Sequence, residues 1–353
     1  MKKKFGMIAL VLMLLLSMAA CSSDSSSGSE SSDDKGKKQK LVVVDWGGAI
    51  TDLRKKVMFE PFEKKYNVEI VLDTPTDYGK LKAMVESGNV TWDVVKIESF
   101  FAMQAEEKGL LEPLDFNVID KEGTIPAMVT GSTMGVELFT NTMAYREDNK
   151  NKPKTWKEFW DTKNFPGARS LFKAPAATLE MALLADGVPV KELYPIDVDR
   201  AFKSLDKLKP QIKTWWNAGA QPPQMLADGN VAYSVAWNGR IALAKKDGSP
   251  LAQDYTEGLM QGESWVIPKG AKNAELANKF IAFVATAEIQ AEWSRQTDYL
   301  PANLKALDLL NDDDKKRLGI PNGEISTDYL VNEQWWVENY EEVNDRFQKW
   351  LLE

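Results

Sequence analysis

Short apolar runs alternate with amphipathic stretches along the chain from residue 41 onward. Strand-like runs occupy residues 41–45, 68–72 and 92–97, and helical stretches occupy residues 51–66, 76–87 and 99–108. Gly88 and Gly109 follow the last two stretches, at the position where a helix commonly ends. Strands and helices that alternate in this order predict an α/β fold with a mostly parallel sheet and helices on both faces.

A second series of the same kind begins after Tyr145. Its expected helices are residues 156–160, 178–185, 198–208 and 240–246, and its expected strands are residues 170–173 and 231–237. A chain of 353 residues usually forms more than one domain, because single cores rarely grow beyond roughly 250–300 residues. The second series is therefore interpreted as a second lobe.

The remaining pattern is interpreted as a return to the first lobe, followed by a docked tail. Residues 263–268 are strand-like, and residues 273–285 place their apolar side chains on one helical face. The tail at residues 331–351 carries Trp336 and Phe347 on one apolar stripe. We predict that the tail is an amphipathic helix packed against the rest of the protein.

The first forty residues have the pattern of an export signal and a tether. Three lysines precede sixteen apolar residues, 5–20, which is shorter than the roughly 20 residues of a membrane-spanning helix. Residues 18–21, Met-Ala-Ala-Cys, resemble the bacterial lipobox, which implies that residues 1–20 are a lipoprotein signal peptide and that Cys21 is lipid-modified. A plain secretory signal is the alternative. Residues 21–40 are rich in serine and lysine and predict a flexible tether outside the cytoplasmic membrane, on a Gram-positive surface or the periplasmic face.

The composition narrows the possible chemistry. The chain is 44% hydrophobic and 27% charged, as in ordinary globular proteins. It has no histidine and one cysteine, which excludes Ser-His-Asp and Cys-His catalysis, Cys/His zinc sites and an internal disulfide. A formal charge of −8 argues against nucleic-acid binding, and the common nucleotide and hydrolase motifs are missing. We expect no cofactor, no metal site and no enzymatic activity.

Five short fragments carry a family resemblance in their order and spacing. They are residues 92–95 (WDVV), 155–160 (TWKEFW), 193–202 (LYPIDVDRAF), 237–240 (WNGR) and 265–268 (WVIP). With the lipobox and two α/β lobes, the chain resembles a bacterial ABC-transporter solute-binding protein. Within that group it is similar to the spermidine/putrescine-binding branch and its relatives that bind other small amines. The resemblance covers essentially all residues from Leu41 to the C-terminus.

The resemblance implies a type II periplasmic-binding-protein fold. In that fold each lobe is a mixed sheet flanked by helices, two crossing strands join the lobes, and the ligand binds in the cleft between them. We expect lobe 1 to contain residues 41–140 and 258–300, and lobe 2 to contain residues 141–257 and 301–353. Ligands of open α/β sheets bind outside the carboxyl ends of strands, where the candidate residues lie.

The first group of candidate binding residues is aromatic or lies beside an aromatic residue. The resemblance implies pocket-lining positions for Trp46, Ser99, Phe100, Phe101, Trp237, Tyr299 and, more remotely, Trp335. Phe100 and Phe101 are neighbours, so we expect only one of them to face the cleft. Aromatic faces attract ammonium groups by about 0.5–2 kcal/mol, but they could equally stack on a sugar. Charged residues must therefore distinguish the ligand classes.

The second group is polar and consists of Glu98, Gln221, Asn238, Arg240 and Glu263. The resemblance makes Glu263 the acid that pairs with a ligand amine. Arg240 stands where polyamine binders carry a small polar residue, and its guanidinium would repel a polycation but bind a carboxylate through two parallel hydrogen bonds. Asn238 and Gln221 are expected to donate hydrogen bonds to that carboxylate. One acid and one arginine favour a zwitterion, such as the ω-amino acid γ-aminobutyrate.

Three interpretations remain open from the sequence. The favoured one is a lipid-anchored, monomeric receptor that binds a small amine or zwitterion and delivers it to ABC permease subunits. The second keeps the fold but binds putrescine or spermidine, with Glu98 or Glu333 completing the site. The third is a secreted hydrolase that uses paired carboxylates, for which the sequence contains no motif.

Overall fold

Nine strands and thirteen α-helices make up the part of the chain that the computed structural model describes, residues 38–325 and 328–353. The strands are β1 (Gln39–Val44), β2 (Val68–Asp73), β3 (Val94–Glu98), β4 (Met134–Arg146), β5 (Arg169–Phe172), β6 (Ile212–Trp216), β7 (Tyr233–Trp237), β8 (Leu251–Val266) and β9 (Leu300–Pro301). The helices are α1 (Ala49–Arg54), α2 (Glu60–Tyr66), α3 (Tyr78–Ser87), α4 (Ser99–Glu107), α5 (Trp156–Trp160), α6 (Thr178–Ala185), α7 (Val198–Leu208), α8 (Gln221–Ala227), α9 (Asn238–Lys246), α10 (Ala274–Val284), α11 (Ala287–Gln296), α12 (Asp312–Arg317) and α13 (Glu333–Leu352). The expected signal peptide, Cys21 and most of the expected tether lie outside the described residues.

These strands form one sheet in the order β2-β1-β3-β8-β4-β7-β5-β6, with β9 paired to β4. Four pairings are parallel and four are antiparallel. The sheet is therefore mixed, and the mostly parallel sheet expected from the alternation of strands and helices is wrong. Every antiparallel pairing involves β4 or β8, and the apolar pattern did not predict either strand at its full length.

β4 and β8 lie side by side at the centre of the sheet and connect its two halves. β8 pairs with β3 through its last four residues, whereas β4 pairs with β7 through residues 141–145. Residues 251–262 of β8 include many polar side chains, so the apolar pattern of the sequence does not indicate a strand there. They are satisfied across the pair, because Asn141 Nδ2 donates to Gln261 Oε1 and Thr142 Oγ1 donates to Gln253 Oε1, both at 2.8 Å.

Several predicted helices are confirmed. α6 and α7 begin and end at the predicted residues, and the Asp197 side chain caps α7 by accepting a hydrogen bond from the Arg200 backbone N–H. α13 buries Trp336, Val343 and Phe347 against the core, as the stripe predicted. Among the described residues, no helix is both long and apolar enough to span a bilayer.

The turn after β1 ends the strand and leads directly into α1. Gly47 and Gly48 have φ angles of +79° and +72°, values that disfavour any side chain, and they end the strand abruptly. α1 begins directly afterward and continues through a π-helical turn, Lys55–Phe59, into α2. Within this helical path Arg54 is fully buried and points its guanidinium toward the sheet.

Candidate functional site

A closed cavity lies at the carboxyl ends of β1 and β7, beside the ends of the neighbouring strands. Its volume is about 10 Å³, room for roughly one water molecule. The residues that line it are Asp45, Trp46, Ile50, Arg54, Lys96, Phe139, Trp237, Arg240, Glu263 and Tyr299. The structure thus brings together five of the residues singled out in the sequence: Trp46, Trp237, Arg240, Glu263 and Tyr299.

Aromatic rings form the walls of this cavity. Trp46 lies edge-on to Trp237, with the ring centroids 6.0 Å apart, and Phe139 packs against Trp237 at 5.6 Å. Tyr299 is buried beneath α9, so close to Gly239 that a Cβ atom there would lie 2.6 Å from its ring. This approach requires glycine at position 239. The walls are therefore mainly aromatic, which leaves recognition of the charged ends of a ligand to the charged groups.

Arg240 lies in the first turn of α9 and is buried, with 6% of its surface exposed. Its Nη1 donates to the backbone oxygen of Gly47 at 2.8 Å, which links α9 to the turn after β1. Its Nε is also buried but has no hydrogen-bond partner among the described residues. A guanidinium can donate five hydrogen bonds, so Arg240 keeps donors that no described residue satisfies.

Glu263 is held by two donors from the first half of the sheet. The Trp46 indole Nε1 donates to Oε1 at 2.5 Å, and the Lys96 ammonium contacts Oε2. Burial raises the pKa of Glu263 to about 7; Lys96 opposes the rise and Glu137 adds to it. An incoming ammonium would favour the ionised form of Glu263, and the ionised form would in turn bind that ammonium.

Three glutamates lie side by side across the centre of the sheet. In the strand register Glu98 of β3 and Glu137 of β4 each pair with Glu263 of β8. Directly opposed residues project from the same face, so their charges would repel one another without compensation. Burial and then Glu263 raise the pKa of Glu98 to about 8, so Glu98 is mainly uncharged near neutral pH.

Buried cations compensate the other two glutamates. Arg54 binds Glu137 through two hydrogen bonds of 3.0 and 3.1 Å and donates to Asp45 at 3.0 Å. Lys96 Nζ lies 2.8 Å from Glu137 Oε1. Although burial acts in the opposite direction, Arg54 and Lys96 hold the pKa values of Asp45 and Glu137 below their ordinary range. We call these five residues, Asp45, Arg54, Lys96, Glu137 and Glu263, the buried charge network.

Four members of this network were not predicted from the sequence. The signal was present, because Lys96 and Glu98 interrupt an apolar strand at a spacing of two residues, and Glu137 interrupts another. Arg54 likewise falls on the helical face that carries Ile50 and Met58. A charged residue at a position that the pattern assigns to the core needs a partner, and here the partners are one another.

The expected residues at the end of β3 have different surroundings. Ser99 shares a hydrogen bond of 2.9 Å with Ser264. Phe100 packs in the core beside Tyr340, whereas Phe101 stacks on Tyr78 with their ring centroids 3.6 Å apart. Tyr78 contacts Trp46 edge-on at 6.0 Å, so Phe101 is the phenylalanine connected to the cavity wall. Ser99, Phe100, Phe101 and Glu98 do not line the cavity.

Three further candidates also lie outside the cavity lining. Asn238 accepts a hydrogen bond from Thr140 N at 2.9 Å and donates to Asp298 O at 2.6 Å, so both ends of its amide are engaged. Gln221 is exposed, and its Oε1 accepts hydrogen bonds from the backbone of the preceding turn. Trp335 packs between Tyr194 and Trp336. The charged groups that line the cavity are those of Arg240 and of the buried charge network.

Comparison with known proteins finds a matching family and several similar solute-binding proteins. Residues 57–319 match the family described as bacterial extracellular solute-binding protein. The chain is similar to the gamma-aminobutyric acid-binding protein of Pseudomonas aeruginosa, with 38% identity over 320 residues that cover 88% of this chain and 91% of that protein. It is also similar to spermidine/putrescine-binding periplasmic protein 1 of Haemophilus influenzae, with 24% identity and 79% of each chain covered.

A solved structure supports the same grouping. The structure of the Atu4243 GABA receptor superimposes with a TM-score of 0.79 at 38% identity, covering 88% of this chain and 97% of that chain. The mixed α/β sheet flanked by helices therefore matches a substrate-binding protein along almost its whole length.

Proposed function

This chain belongs to the bacterial extracellular solute-binding protein family, and on that basis we propose that it is the receptor of an ABC importer for a small zwitterion. An ω-amino acid such as γ-aminobutyrate is the favoured ligand. One observation carries the choice of ligand. A buried arginine with an unsatisfied Nε and a buried glutamate line the same aromatic-walled cavity.

The two charged groups have opposite roles. Arg240 would bind the ligand carboxylate, because a guanidinium presents parallel donors that match the two oxygens. Glu263 would accept the ligand ammonium, which would share that carboxylate with Lys96. The rings of Trp46 and Trp237 would cover the aliphatic carbons between the two ends. A zwitterion would therefore satisfy both ends of the site.

Polyamine binding is the second candidate, since a relative carries that function in its name. It would need more than one free carboxylate for ammonium groups. Glu98 and Glu333 are both buried with pKa values raised to about 8, and one oxygen of Glu333 accepts a hydrogen bond from Gly262 N at 2.8 Å. Neither lines the cavity, so the described arrangement favours the zwitterion over the diamine.

Binding would require the protein to open. A cavity of about 10 Å³ cannot hold an amino acid, so the ligand must enter a more open form. We infer that the halves of the sheet move as two lobes about β4 and β8, and that ligand contacts with both halves shift the equilibrium toward closure. The Arg240–Gly47 hydrogen bond joins the two halves in the closed form.

We predict that γ-aminobutyrate stabilises the purified protein against thermal unfolding. A ligand that binds only the folded state adds about 2.7 kcal/mol to the free energy of unfolding at one hundred times its Kd. The panel contains γ-aminobutyrate, putrescine, spermidine, glycine betaine and a neutral sugar, and the recovered ligand is checked for chemical change. Stabilisation by putrescine but not by γ-aminobutyrate would overturn the proposed ligand, and a converted ligand would indicate an enzyme.

The lipid anchor is a further proposal that rests on the N-terminal sequence. We predict that the mature protein fractionates with membranes through an acylated Cys21, and that Cys21→Ala releases it or blocks its processing. The measurement is detergent partitioning of wild type and variant, with ligand binding as the control for folding. Unmodified, fully active protein free in the medium would contradict the anchor. We also propose that the protein acts as a monomer.

A further inference from the structure

The acid that would receive the ligand amine already has a cationic partner in the protein. Lys96 is almost completely buried, with 1% of its surface exposed. Its ammonium contacts Glu263 Oε2 and also lies 2.8 Å from Glu137 Oε1. Lys96 itself lines the cavity, beside the carboxylate that it holds.

The sheet fixes the position of this lysine. Lys96 lies two residues before Glu98 on β3, so both project from the same face of the sheet as Glu263 of β8. The Thr76 hydroxyl donates to the Lys96 backbone oxygen at 3.0 Å and helps to hold this part of the strand. Lys96 is therefore a buried cation that lines the cavity and is held in place by the sheet, and it is not a surface side chain.

Every other ionised carboxylate of the network is engaged as well. Arg54 donates two hydrogen bonds to Glu137 and a third to Asp45. Once a bound ammonium favours the ionised form of Glu263, the three cations Arg54, Lys96 and Arg240 face the three carboxylates of Asp45, Glu137 and Glu263. A zwitterion leaves this balance unchanged, whereas a diamine brings two buried positive charges without carboxylates to neutralise them.

We propose that Lys96 is a specificity-determining residue that makes the site accept net-neutral ligands and reject diamines. The inference rests on the proposed function, because it takes Glu263 as the acceptor of the ligand amine. In this proposal, net-neutral ligands are distinguished from diamines by the balance of charge among the buried groups that line the cavity, in addition to any direct repulsion of diamines by Arg240. Lys96 would then act through Glu263, by leaving that carboxylate able to accept one further ammonium but not two.

The test compares calorimetric Kd values for γ-aminobutyrate and putrescine in wild type and Lys96→Met. Methionine keeps the length of the side chain and removes its charge, so the cavity gains one net negative charge. We expect the ratio of the putrescine Kd to the γ-aminobutyrate Kd to fall by at least about 30-fold. Lys82→Met is the control, because Lys82 is 54% exposed on α3 and its loss changes the total charge equally. In that control the ratio should change by less than roughly threefold.

A second background keeps the proposal testable if Lys96→Met does not fold. Glu137→Gln and the double variant Lys96→Met/Glu137→Gln differ by the same lysine charge, and the double variant restores equal numbers of cations and carboxylates in the site that includes Arg240. Adding Lys96→Met to Glu137→Gln should lower the Kd ratio by at least about tenfold. An unchanged ratio on either background, in protein that binds γ-aminobutyrate, overturns the role of Lys96. Wild-type protein that binds no ω-amino acid overturns the proposed function instead.

Discussion

Replacing Arg240 with alanine is expected to weaken γ-aminobutyrate binding by about 2–5 kcal/mol, which corresponds to roughly 30- to 4,000-fold in Kd. The loss has a specific cause. The ligand carboxylate would remain desolvated at the Arg240 end of the cavity without the guanidinium that neutralises it. Arg240→Lys should recover little, because a point charge cannot reproduce the two parallel donors of arginine. Isothermal titration of the three proteins measures the effect directly.

A variant on the same helix separates this effect from a change in the fold. Lys245 lies one turn and a half further along α9, is 58% exposed and pairs with Glu147 at 2.8 Å. Lys245→Ala should leave the Kd for γ-aminobutyrate within about threefold of wild type. Putrescine should bind Arg240→Ala no worse than wild type, since a positive charge has left the cavity. Tight putrescine binding by wild type that is lost in Arg240→Ala would show that Arg240 has another role.

Replacing Arg54 with methionine is expected to lower the free energy of unfolding by about 3–5 kcal/mol. The guanidinium is fully buried, stacks 4.1 Å from the Trp293 ring centroid and neutralises both Asp45 and Glu137. Its loss would leave two carboxylates in the interior with Lys96 as their remaining cation. Denaturant unfolding followed by circular dichroism gives the difference. Arg346→Met is the matched control, because Arg346 is 47% exposed and its pair with Asp199 should contribute at most about 1 kcal/mol.

The cost of losing Arg54 should depend on pH in a defined direction. The pKa values of Asp45 and Glu137 are lowered in the folded wild type, so their ionisation stabilises the fold above the unfolded pKa values of about 4. This contribution is lost as the pH falls below that range. The difference between wild type and Arg54→Met should therefore be largest near pH 7 and shrink below about pH 4. A difference that stays constant from pH 7 to pH 3 would mean that lost packing, and not lost charge, destabilises the variant.

Sequence patterns predicted the local elements better than the connections between them. Helices such as α6 and α7 have strong periodicity of their own, and their bounds follow from it. β4 and β8 are different, because each passes from one half of the sheet to the other. Residues 251–262 are polar enough to resemble a loop, and only cross-strand partners such as Asn141 and Thr142 explain why they form a strand.

The same distinction applies to the site. Trp46, Trp237 and Arg240 lie at a strand end or within three residues after one, so their positions in the chain indicate the cleft. The charge network has no such local signature. Arg54 and Glu137 are separated by 83 residues, and the pairing of Lys96 with Glu263 spans 167. In the sequence, each of these residues is an isolated charge within an apolar segment. Only the register of the sheet brings the oppositely charged residues into contact.

The central place of β8 has a consequence for how the protein matures. β8 inserts between β3 and β4, although both precede it by more than one hundred residues. Until the chain beyond residue 250 has been synthesised, β3 and β4 have no strand between them, and the cavity lacks the carboxylate of Glu263. An N-terminal fragment therefore contains Arg240 and both tryptophans of the cavity wall but no recognition site. Binding competence therefore requires β8 and the chain through Tyr299, so it is acquired late in folding.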